Sequence, residues 1–215
     1  MRPLRRLLAC FVLLALVASG TAVAGRGDPK KNFNPADQAR AKAMLVRVSD
    51  VPGSTGTKSS QSDDDFYCKA LDESALTLTG EAESQNISRG LLFVSGLSQV
   101  YESRRDADIA WRQGMSAAGI SCVREGFRRE VSSPNSKFVS FRKIPFPRLA
   151  ERTAAFRVAA TTQGVPFVID VVVLMQSRAQ VAGVSGIVGS TPPRAEVERL
   201  GRIVASRMKT AMRGA

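Results

Sequence analysis

"RTAAFRVAATTQGVPFVIDVVVLMQSRAQVAGVSGIVG", residues 152–189, reads as three β-strands joined by two tight turns, Gln163-Gly164 and Arg178-Ala179. If Gln163 and Gly164 form a two-residue loop, cross-strand partners have numbers summing to 327. Phe156 then faces Val171, Val158 faces Ile169 and Ala160 faces Phe167, giving one wholly apolar face. On the opposite face Asp170, the one charged residue inside "FVIDVVVL", lands across from Arg157. A cross-strand ion pair is worth roughly 0.2–1 kcal/mol when exposed. A buried aspartate without that partner would be heavily penalised. The register therefore predicts a structural ion pair, Arg157 with Asp170. The competing expectation is a ligand-binding carboxylate in a cleft.

Working outward, "STPPRAEVERLGRIVASRMKTAM" predicts an amphipathic helix capped by Thr191 and opened by Pro192. Its buried stripe is Val197, Leu200, Val204, Met208 and Ala211. Upstream, Ser103 caps a helix with Asp106 three residues on, and Ala107, Ala110, Trp111, Gly114, Met115 and Ala118 share one face. Gly119 is its expected stop, with Cys122 just beyond. Residues 91–101 predict a strand with Gly96 at a bulge or bend, and 75–79 a shorter one. Asn34 caps a first helix, with Pro35 at its first position and Asp37 in its first turn. Pro52 and Gly53 end it, and residues 57–65 read as an acidic loop. The expected fold class is α+β: a single central antiparallel sheet of about five to six strands with flanking helices, in the order α-β-β-α-β-β-β-β-α.

Residues 1–24 carry Arg2, Arg5 and Arg6, an apolar run from Leu7 to Ala18, and the small-x-small signal Ala22-Val23-Ala24. This predicts a signal peptide cleaved after Ala24, hence a secreted, extracytoplasmic protein. Too little apolar sequence precedes Cys10 for a lipoprotein anchor, and the run is shorter than the ~20 residues that span a bilayer, so no transmembrane helix is expected after cleavage. Residues 25–33 read as a flexible tether and 34–215 as one domain. Removing 24 of 215 residues leaves 191, enough for a substantial core. Two cysteines remain, Cys68 and Cys122, and an exported pair reads as one disulfide.

Loss of the three leader arginines lowers the formal charge from +12 to +9. Arg124, Arg128, Arg129, Lys137, Arg142, Lys143 and Arg148 concentrate the excess, against Glu125 and Glu130. They are candidates for contact with an anionic membrane or wall polymer, or a solvated face with no partner. The chain is exported and has no nucleic-acid-binding motif, so nucleic acid is not expected.

With no histidine, Ser-His-Asp and Cys-His hydrolases, His-ligated zinc and ordinary haem attachment are excluded. No glycine-rich phosphate loop is present. Glu81 and Glu83, spaced by two, share a strand face and are the minimum for acid/base work on a glycoside; a solvated strand edge is the plainer reading. Asp63, Asp64 and Asp65 lack the regular spacing of a calcium loop. Neither a catalytic residue, a metal site nor a cofactor is expected.

Several stretches resemble small exported actinobacterial proteins related to the extracellular sensor domains of receptor-type serine/threonine kinases and their lipoprotein relatives. They are "ARAKAMLVRVSDVPGS", "LTLTGEAES", "VYESRRDADIAWRQGM", "IPFPRLAERTAAFRV", "FVIDVVVLMQSRAQV" and "VERLGRIVASRM", which cover most of the chain after the leader. The resemblance implies a compact domain with a central antiparallel sheet, flanking helices and a ligand-binding cleft. This chain departs from it in having one disulfide where the kinase sensor domains typically have two. The functional expectation is a non-enzymatic envelope domain that binds a small ligand or wall component. Its rivals are a basic surface-binding protein and a carboxylate-dependent hydrolase led by Glu81 and Glu83.

Overall fold

A computed structural model describes residues 27–59 and 67–214. The leader with Cys10, and the Asp63–Asp65 run, lie outside them. The hairpin read from residues 152–176 forms as expected: β7 (Arg152–Thr162) pairs with β8 (Val165–Gln176) from Thr162↔Val165 to Arg152↔Met175, with Arg157 opposite Asp170. Gln163 and Gly164 both take positive φ, 52° and 79°, as a mirror-image hairpin turn requires. The second turn differs from expectation by one residue. It is Ser177-Arg178, closing Gln176↔Ala179, because Ser177 takes the left-handed backbone (φ 55°). Ala179 therefore starts β9 (Ala179–Val188).

The sheet is larger than expected, nine strands among the described residues instead of five or six. Its main path runs β1-β3-β5-β9-β8-β7-β6, using β1 (Lys30–Lys31), β3 (Thr77–Glu83), β5 (Leu92–Tyr101) and β6 (Ser136–Lys143). The short β2 (Thr55–Thr57) and β4 (Asn86–Arg89) branch from β5. Strands of two to four residues are too short to show an alternation, so they leave no signal in the sequence. All pairings are antiparallel except β1 with β3. That pairing also corrects the tether: residues 30, 32 and 34 donate their amides to Leu76, Leu78 and Thr79 along the edge of β3. Gly96 sits in unbroken register opposite Gly183, and the irregularity falls instead between Leu78 and Gly80. There the carbonyl of Asp37 occupies the place of a Gly80 Cβ, so α1 (Pro35–Met44) crosses β3 closely.

The second helix is two. α2 (Arg104–Met115) ends at Ser116, whose hydroxyl accepts from the Gly119 amide (2.9 Å) and so caps α3 (Ala117–Val131). Gly119 is needed because the Gln113 carbonyl fills its Cβ position at this sharp corner. It marks a start, not a stop. Cys122 consequently lies within α3, and its disulfide to Cys68 (Cα–Cα 6.2 Å) ties that helix to the segment before β3. α4 (Arg194–Ala211) begins two residues later than expected, with Pro193 at its cap and no side-chain capping bond from Thr191.

Helices cover both faces of the sheet. α1 and α4 bury Met44, Val197, Leu200, Val204 and Met208 against Val100, Val172, Leu174 and Val181. On the other face Ala107 and Ala110 of α2 meet Tyr101 and Met175, and Val131 of α3 meets Val158 and Ile169. A strand covered on both sides reads as a nearly continuous apolar run, which is why "FVIDVVVL" has so little polarity.

Candidate functional site

Asp170 is 2% exposed and Arg157 grips it at both oxygens, Nε to Oδ1 at 2.7 Å and Nη2 to Oδ2 at 2.8 Å. β8 alternates, so Asp170 points with Val172 and Leu174 toward the α4 side of the sheet. Its neighbour across β9 is Ser185.

Beside that row lies a narrow apolar slot between the sheet and α4. Gly96 and Gly183 form its floor, Leu174 and Val181 one side, and Val197 and Leu200 part of its roof. Its free volume is about 30 Å³. Ser185 is 7% exposed and also lines it. Val46 lines this slot and also a second, open pocket of about 400 Å³. Lys42, Arg47, Ser49, Glu83, Ser84 and Gln85 surround the open pocket, with Leu45 and Val48 as its apolar wall. That volume is within the ~300–1,000 Å³ of small-molecule sites. The segment carrying its apolar wall is clamped to α4, because Arg207 binds Asp50 and the Leu45 carbonyl while Arg199 donates to the Asp50 carbonyl. Burial alone would raise the Asp50 carboxyl, but the Arg207 hydrogen bond and its positive neighbours hold it below its ordinary value.

Glu81 and Glu83 do not form an acid/base pair at an open centre. Glu81 is nearly buried, accepts from Lys31 at 2.9 Å and from Gln99 at 3.2 Å, and is committed to those partners. Glu83 borders the open pocket. Several of the basic residues are already engaged. Arg128 and Arg129 bind Glu125, Arg124 donates to Ser121, and Arg148 to the Glu151 carbonyl. On edge strand β6, Arg142 lies opposite Arg157 and the next residue, Lys143, opposite Phe156, so these two project to opposite faces. No metal-holding group of three or more His, Cys, Asp or Glu residues occurs among the described residues, and no helix there is long and apolar enough to cross a membrane.

One polar cluster was not foreseen. Tyr101, 1% exposed, donates to Glu73 at 3.0 Å and lies 3.4 Å from the side-chain Oε1 of Gln99, linking Glu73 to the Glu81 site. Burial pushes the Glu73 carboxyl from 4.5 up to about 7, and the nearby charges of Asp28 and Glu81 add to the rise against the Tyr101 hydrogen bond. A raised carboxyl pKa means that the unfolded chain loses its proton first. This contribution to stability is complete below pH 4.5 and is lost as pH rises to about 7. Partial exposure keeps the loss at about 1–2 kcal/mol. Urea denaturation should show that fall between pH 5 and 8, and Glu73→Gln, which still accepts from Tyr101, should remove it. An equal slope in both proteins would show that Glu73 is not its source.

No protein-family model and no curated protein matches the chain. Among solved structures it is similar to the extracellular domain of PknH from Mycobacterium tuberculosis, with a TM-score of 0.44 and 10% identity, over 84% of this chain and 98% of that one. At that level no binding residue carries over.

Proposed function

We propose that this chain is an extracytoplasmic, non-enzymatic domain that binds a small ligand in the open pocket bordered by Lys42, Arg47, Ser49 and Gln85. The observation that carries the reading is the pocket itself: about 400 Å³, with polar groups converging over an apolar wall. The leader-like residues 1–24 and the Cys68–Cys122 bond support the location. Docking to an anionic polymer is less well supported, since several of the candidate cations already have partners and Arg142 and Lys143 project to opposite faces. A carboxylate hydrolase is disfavoured by the engagement of Glu81 with Lys31 and Gln99.

The test is native mass spectrometry of the protein purified from its own envelope, compared with Ser49→Trp. Ser49 is an exposed wall residue, so the indole fills the pocket without entering the core. A stoichiometric small mass on the wild type that is lost from Ser49→Trp is expected. A wild type that carries nothing, or a mass retained by the variant, would overturn the assignment.

A further inference from the structure

We propose that the ligand is an anionic amphiphile, with its head group at Lys42 and Arg47 and its alkyl chain in the slot beneath α4. The proposal rests on the pocket reading above and deepens it. Lys42 and Arg47 are exposed at the mouth; neither side chain is in ion-pair contact with a described residue, although the Arg47 charge also acts on the Asp50 carboxylate. That leaves positive charge for an anionic head, while Glu83 on the same rim limits how much negative charge is tolerated. Behind the mouth the pocket and the slot share a lining residue. Val46 lines both, and Leu45 Cδ2 would lie 3.8 Å from a Cβ built on Gly96 in the slot floor.

The slot has the chemistry of a chain site. Gly96 and Gly183 pair across β5 and β9 and leave the floor without side chains, under a roof of aliphatic residues. A Cβ on Gly183 would find nothing nearer than the Val172 carbonyl at 3.9 Å. Ser185, 7% exposed, contributes a polar residue to this largely aliphatic lining. At about 30 Å³ the free space equals roughly one water molecule, so an alkyl chain enters only as α4 rises from the sheet. The clamp that holds α4 down is the same 45–50 segment that walls the pocket. A head group bound there acts directly on the element that opens the slot.

Calorimetric titration with octyl phosphate, below its micelle concentration, and with methyl phosphate tests this. Each buried methylene tightens binding about fourfold, so octyl phosphate should bind one-to-one and at least about a hundredfold more tightly than methyl phosphate. Arg47→Ala should weaken both. Gly183→Ala adds a methyl about the size of the free space, and should weaken octyl phosphate at least about tenfold while leaving methyl phosphate unchanged. Equal affinity for the two phosphates, or octyl binding indifferent to Gly183→Ala, would overturn the chain assignment and leave the pocket reading standing. If neither phosphate binds, the amphiphile is overturned; the Ser49→Trp comparison then decides the pocket separately.

Discussion

Asp37→Ala is expected to destabilise the protein by about 3–5 kcal/mol, the cost of leaving a buried cation without its counter-charge. Asp37 is 2% exposed and accepts from Arg178 at both oxygens (2.8 and 3.0 Å), from Arg40 at 2.6 Å and from Asn34 at 3.0 Å. Arg178 also donates to the Tyr101 carbonyl at 2.7 Å and to the Thr79 hydroxyl at 3.2 Å. One guanidinium thereby fastens α1, β3 and β5 to the β8–β9 turn, across 141 residues of sequence. Burial would raise the Asp37 carboxyl, but hydrogen bonds from Arg178, Thr79, Asn34 and Arg40 outweigh it and hold the group well below the carboxylate range. With a lowered pKa, its contribution is present above about pH 4 and is lost as pH falls further. Chemical denaturation at pH 6 should show the full loss in Asp37→Ala, and the variant should lose less than wild type on acidification. A cost below about 1 kcal/mol would mean that Arg178 finds water once Asp37 is gone.

That hub shows where sequence reading stops. Asp37 looks like an ordinary first-turn acid, and Arg178 like a turn residue. With 31 basic and 19 acidic residues, nothing local selects this pairing from the many available. Arg157 and Asp170 could be named together because a two-residue turn fixes a register, and a register is arithmetic. The same logic explains the misplaced second turn: Ser177 takes a left-handed backbone that serine gives no reason to expect. It explains α3 too, where Gly119 carries the usual mark of a helix end but is needed for a close approach at a helix start. The open pocket is assembled from α1, the 45–49 segment and the end of β3, and Glu73 meets Tyr101 across 28 residues. Neither has a local pattern. What was legible is whatever follows from periodicity within one hairpin or one helix.

Asp170 admits a decisive experiment, because it is buried beside Ser185 and therefore beside the slot. Asp170→Ala leaves the partly buried Arg157 beside its cross-strand neighbour Arg142 with no counter-charge, and is expected to cost about 3–5 kcal/mol. Arg157→Leu with Asp170→Leu replaces the whole pair by aliphatic groups, and should restore stability to within about 1 kcal/mol of wild type. The double-mutant cycle by urea denaturation isolates the coupling between the two positions. If the pair is architecture, the stable double variant binds octyl phosphate within about twofold of wild type. If stability returns and binding does not, the carboxylate is acting on the slot's occupant through the Ser185 wall. A single variant cannot separate these outcomes, since Asp170→Ala would impair binding simply by loosening β7 and β8. The doubly substituted protein holds the sheet constant and changes only the charge next to the site.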